Sequence, residues 1–205
     1  MFEINHPVSE KITIPETYYS YSEYVALVEF LLSEGKVTGN QQSESLVEYT
    51  RLNMHRLHRW EKTWQPNPAL AGRFRAINQP LTWVVISEGW CGDAAQQIPV
   101  FERLAGLSQS IRTLYVLRDD NPAFMDLFLT NGARAIPIVI CLNTANEVLW
   151  KWGPRPQEAI ELLSRMKSEG LDDAQRKKEL HAWYAKNKHQ ALEKELYQLI
   201  SAQGS

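Results

Sequence analysis

A chain of 205 residues can bury a full core but is short for two ordinary domains, so one core domain with additions is expected. Its 22 Lys and Arg against 24 Asp and Glu set up no field that favours nucleic acid or an anionic membrane. Met1 to His6 shows no basic segment leading into an apolar core, the longest apolar stretch, Ala135 to Leu142, is too short to span a bilayer, and two cysteines make no disulfide framework, so a cytoplasmic protein in a reducing compartment is expected.

Lys11 to Ile14 reads as an extended start. Ser22 can cap a helix to about Ser33, with Tyr24, Leu27, Val28 and Leu31 on one face and Gly35 ending it. Ser45 and Glu48 form a capping-box pattern opening a long helix to about Trp64, on which Leu46, Tyr49, Leu57, Trp60 and Trp64 recur at helical spacing. Asn67-Pro68, a cap residue followed by proline at the first helical position, opens a shorter helix through Phe74 that stops before Pro80.

From there the pattern alternates between strand and helix. Leu81 to Ser87 is apolar without alternation, as a strand covered on both faces should be, and the helix after it carries Ile98, Phe101, Leu104 and Leu107. Ile111 to Leu117 is a second such strand. Asn121-Pro122 opens a helix expected to end at Asn131-Gly132. Ile138 to Leu142 and Val148 to Trp152 form a hairpin through Asn143 to Asn146. Gly153-Pro154-Arg155-Pro156 punctuates the chain before a helix from Gln157 with Ile160, Leu163 and Met166. One last amphipathic helix is expected from about Asp172 to Ile200.

Between the first strand and its helix lies Trp90-Cys91-Gly92-Asp93-Ala94. A thiol where a strand hands over to a helix meets orphan N–H groups and the positive end of the helix dipole, both of which favour the thiolate, so Cys91 is expected to be exposed and reactive rather than an inert remnant. Asp93 acts in two directions: it stabilises the first helical turn, and as an anion it opposes a thiolate at Cys91. Residue types leave open which effect governs the thiol. Glu88 is either a proton-handling group beside the motif or a solvated residue at a strand end.

Cys141 reads as core. It lies four residues beyond Pro137 on a strand, roughly 13 Å away, too far for a disulfide to a cysteine beside that proline. His55 and His58 share a helix with Arg51, Arg56 and Arg59, and with no third ligand nearby a solvated basic face is expected rather than a metal site. Trp60, Trp64, Trp83, Trp150 and Trp152 read as packing residues, with Trp90 exposed enough to touch partners. The Lys177-Lys178 and Lys186 to Lys188 stretches read as the polar face of the last helix, interleaved with acids.

The order strand, Trp-Cys-Gly helix, strand, helix, Ile136-Pro137 opening a strand, hairpin and closing helix resembles the thioredoxin fold over residues 67 to 168. The Asp-Ala form of the motif, together with Thr38-Gly39-Asn40-Gln41 and Tyr49-Thr50-Arg51-Leu52-Asn53, is similar to a poorly characterised bacterial subgroup of the thioredoxin family. The resemblance implies an α/β architecture, a thioredoxin-like central mixed sheet flanked by helices. It divides the chain into an N-terminal helical extension (1–66), a thioredoxin-like domain (67–168) and a C-terminal helical extension (169–205). It also implies that Cys91 is catalytic, that Trp90, Gly92, Asp93, Ala94 and Glu88 line the site, and that the backbone at Ile136 and Pro137 holds the substrate chain. On the residues alone Pro137 is an ordinary trans proline at a strand start; the resemblance makes it cis.

This chain departs from the family pattern at informative positions. The second motif cysteine is Ala94, the usual third-position proline is Asp93, and the buried acid six residues before the cysteine is Val85. The Gly-Gly and acidic pattern of a glutathione pocket is absent from Cys141 to Gly153. The resemblance with these departures implies single-thiol chemistry, in which Cys91 forms mixed disulfides with protein or small-molecule disulfides and an external thiol releases them. No cofactor, metal, nucleic acid or membrane is expected. The alternative is a non-catalytic binding module.

Overall fold

The computed structural model describes residues 10–201, so the reading of Met1 to His6 lies outside the described residues. Its first helix, α1 (Tyr21–Ser33), starts two residues earlier than Ser22 would place it. Ser20 forms the capping box instead: its hydroxyl accepts from the Glu23 N–H, and the Glu23 carboxylate accepts from the Ser20 N–H. Likewise α2 (Glu44–Thr63) is capped by Ser43, whose hydroxyl accepts from the Leu46 N–H, and not by Ser45. Helix α3 (Pro68–Arg75) is capped by Asn67 with Pro68 in the first turn, as expected.

Four strands follow: β1 (Leu81–Ser87), β2 (Ile111–Leu117), β3 (Ile138–Leu142) and β4 (Val148–Trp152). They form one mixed sheet in the order β2-β1-β3-β4, with β1 and β2 parallel and the other pairs antiparallel. The central strands β1 and β3 are nearly continuous apolar runs because helices cover both faces. Chain upstream of α1 blunts both sheet edges. Tyr19 exchanges a pair of backbone hydrogen bonds with Tyr115 of β2, and the backbone around Lys11 pairs with that at Glu147 beside β4.

Helix α4 (Gly92–Ala105) follows β1 and carries the motif. The segment expected as a helix to Asn131 is shorter: α5 (Pro122–Met125) passes into a 3-10 turn, Asp126–Phe128. Asn131 and Gly132, at φ 50° and 75°, form a tight turn between Thr130 and Ala133, which exchange backbone hydrogen bonds. That pair of positive φ angles suits Asn-Gly as a hairpin turn better than as a helix cap.

Helix α6 (Gln157–Ser168) begins where expected. The long C-terminal helix is in fact two, α7 (Asp173–Asn187) and α8 (Gln190–Ser201), because Lys188 and His189 turn left-handed at φ 49° and 67°. Asn187 then uses its side-chain oxygen to accept the Ala191 N–H and start α8, and His189 packs edge-on against Trp60 at 4.3 Å. The molecule is thus an α/β fold, a four-stranded mixed sheet between helices, with α1 and α2 before it and α7 and α8 after. Among the described residues, no helix is long and apolar enough to cross a membrane.

Candidate functional site

Parallel pairing of β1 with β2 and antiparallel pairing with β3 bring the end of β1 beside the start of β3, where the motif meets Ile136 and Pro137. Cys91 is the N-cap of α4. Its sulfur accepts from the Ala94 N–H at 3.4 Å, and its S–H donates to the Ile136 carbonyl at 3.3 Å. The Ile136-Pro137 peptide bond is cis, as the resemblance implied, and so is Gly153-Pro154. Both cysteines are buried.

Exposure of Cys91 is where expectation and structure part. Only 8% of the residue is accessible, and burial, followed by the charge of Asp93, pushes its thiol up to about 12. The N–H groups of Asp93 and Ala94 and the charge of Arg155 act the other way and lose. The helix start alone would favour a thiolate; covering the site reverses the outcome.

Asp93 does not face solvent either. At 7% exposure its carboxylate accepts from the Tyr184 hydroxyl at 2.7 Å and pairs with Arg155 Nη2 at 2.6 Å. Burial raises its pKa against those two partners. The next turn of α4 extends the network, with the Gln97 amide donating to the Pro154 carbonyl and the Tyr184 hydroxyl.

A second polar chain runs over Gly92. Trp60 Nε1, which can only donate, gives its proton to Gln96 Oε1 at 2.6 Å, so the Gln96 nitrogen faces His181 Nδ1 at 3.1 Å as a donor. That orientation assigns the His181 proton to Nε2, which donates to the Tyr49 hydroxyl at 3.0 Å. Burial, then Arg56 and Lys177, push the His181 pKa down to about 4, which keeps this neutral tautomer. A Cβ at Gly92 would stand 2.5 Å from the Tyr49 hydroxyl and 3.1 Å from the His181 ring, so only glycine fits beneath these two side chains as they lie.

Glu88 is fully buried rather than solvated, and its carboxylate accepts from the Asp119 N–H at 2.9 Å. Burial raises it to about 7, against hydrogen bonds from Thr38 and the Asp119 backbone. Trp90 is half-buried, with the Arg118 guanidinium 4.5 Å above its ring. Ala94 is buried. His55 is exposed, while His58 bonds to Glu29 and Glu61 on opposite ring nitrogens. A groove of about 860 Å³ between the Glu10–Glu16 segment and α5 includes none of the motif residues.

Arg155, Tyr184, His181 and Gln97 escaped the sequence reading. Arg155 lies in a Gly-Pro-Arg-Pro segment that reads as punctuation, and Tyr184 and His181 lie on a helix whose pattern gives no reason to bring it to the motif.

A family model described as thioredoxin matches residues 39–169. Among solved structures, a protein of unknown function from Pseudomonas aeruginosa is similar at a TM-score of 0.55 and 18% identity, covering 91% of this chain and 99% of that one. An HIV epitope scaffold is similar at a TM-score of 0.53 and 16% identity, with the same coverage. At these identities the likeness is one of fold. No curated protein matches the chain.

Proposed function

Because the chain belongs to the thioredoxin family, for which redox-type chemistry is the first expectation, we propose that it performs single-thiol disulfide exchange through Cys91. The observation that carries this reading is the seat of Cys91: a helix N-cap whose sulfur touches the carbonyl preceding Pro137, with Ala94 where a resolving thiol would stand. The Cys91 thiolate attacks one sulfur of a substrate disulfide, forming Cys91–S–S–R and expelling the other sulfur as a thiolate. An external thiolate then attacks the mixed disulfide, regenerating the Cys91 thiolate and leaving R joined to the external thiol. Backbone groups at Ile136 and Pro137 hold the substrate chain during the first step. Protein or small-molecule disulfides in a reducing, cytoplasmic compartment are the substrates this chemistry suits, and a chain with only two cysteines agrees with such a compartment.

Wild-type protein immobilised in a lysate should retain covalent partners that elute with reductant and vanish in Cys91→Ser. Insulin reduction coupled to a thioredoxin reductase should stay near background. Partners retained equally by Cys91→Ser and eluted by salt would replace this reading with a non-catalytic binding module, which the burial of the thiol favours.

A further inference from the structure

The two C-terminal helices attach differently to the molecule. Leu192, Leu196, Leu199 and Ile200 of α8 join the main core, whereas the buried residues of α7, Leu180 and Tyr184, form a small separate cluster with Ala159 of α6. Toward the motif, α7 offers polar contacts: Tyr184 to Asp93 and Gln97, and His181 to Tyr49 and Gln96. Its ends are Gly170 at φ 80° on one side and the left-handed pair Lys188 and His189 on the other.

We infer that α7 is a hinged cover over the N-terminus of α4, closed in this structure, and that His181 and Tyr184 are positioning residues that hold it shut beside Cys91. The inference rests on the reading of Cys91 as the working thiol and adds how a substrate reaches it. A disulfide must bring one sulfur into line with Sγ, and a residue only 8% exposed leaves little room for such an approach. Something beside it has to move. Lifting α8 would expose main-core side chains to water, while lifting α7 exposes only its small cluster with α6 and exchanges its polar contacts to α2 and α4 for hydrogen bonds to water, a smaller net loss. Local opening follows the weakest attachment, so α7 moves first. Once it has moved, the burial that most opposes ionisation of Cys91 is relieved, and the N–H groups of the first turn can stabilise the thiolate.

The test pairs iodoacetamide labelling of Cys91, located by peptide mass spectrometry across a pH series, with amide hydrogen exchange on the full chain. In wild type, α7 should exchange faster than α8. Tyr184→Phe, which keeps the ring and its packing, should speed Cys91 labelling about threefold, and adding His181→Ala about tenfold or more, since each step removes hydrogen bonds of ordinary strength. The labelling midpoint should move to lower pH in the same order, with α8 exchange unchanged. Faster exchange of α7 without faster labelling would overturn the cover, as would α7 protection equal to that of α8 in wild type. If the double variant labels faster but forms no mixed disulfide with a small disulfide such as dithiodipyridine, the cover stands and the single-thiol function falls.

Discussion

Helix α8 places Leu192, Leu196, Leu199 and Ile200 in the core, and Glu195 among them accepts from Trp152 Nε1 at 2.8 Å and the Gln157 N–H at 2.7 Å. Helix α7 ends only three residues before α8 starts, yet it meets α2 and α4 through hydroxyl, imidazole and amide groups. Apolar burial resists opening because separation exposes surface that water cannot satisfy; polar contact resists it weakly because water is a competent substitute. Two neighbouring helices are therefore held to the molecule by different kinds of contact.

The largest expected difference comes from truncating one leucine in each helix. Leu196→Ala should cost about 3 kcal/mol in urea unfolding, and Leu180→Ala about 1 kcal/mol, since the second sits in a small cluster that can collapse or hydrate. Equal costs would erase the distinction between the helices.

Acid should separate them next. Burial lowers the His181 pKa from 6.5 to about 4 and that of His189 to about 3, so between pH 6.5 and those values the unfolded chain binds more protons than the folded one. Stability from these groups is complete above pH 6.5 and falls as pH drops, by up to about 1.4 kcal/mol per unit for each group. Protonated His181 would turn an N–H toward the donating Gln96 amide, so hydrogen exchange should show α7 loosening before α8 near pH 4. His189→Asn, a residue that tolerates a left-handed backbone, should flatten the acid limb of the stability curve without changing that order.

Glu195→Ala should cost about 2 kcal/mol by leaving the Trp152 and Gln157 donors without an acceptor. The smallest effect belongs to the start of α7, where Asp172 and Gln175 form a capping box. Asp172→Ala should cost about 1 kcal/mol or less and raise exchange within α7 alone. Spread of that effect into α8 would mean that the two helices open as one unit.

Much of the core was legible because period and punctuation report burial directly. The limits of all four strands, the Asn67-Pro68 cap and the Cys91 helix start follow from apolar runs and cap residues at their edges. The break at Lys188 and His189 was hidden because its cause is tertiary: His189 turns inward to meet Trp60 and Trp64, and no glycine or proline marks the place. At the site, the motif announced the position of the thiol but not its state. That state depends on burial within the fold, on Asp93 and on Arg155, 64 positions further on, and local pattern carries no information about their approach.

Gly92 gives the motif a second meaning. A methyl group there would press on Tyr49 and His181 at once, so the smallest possible enlargement of the motif acts as a wedge between α4 and the two helices lying over it. Alanine at this position is a steric key, turned from the start of α4, to the contact between Tyr49 of α2 and His181 of α7. At Gly92 of this Trp-Cys-Gly sequence, any larger residue has to displace side chains of both α2 and α7.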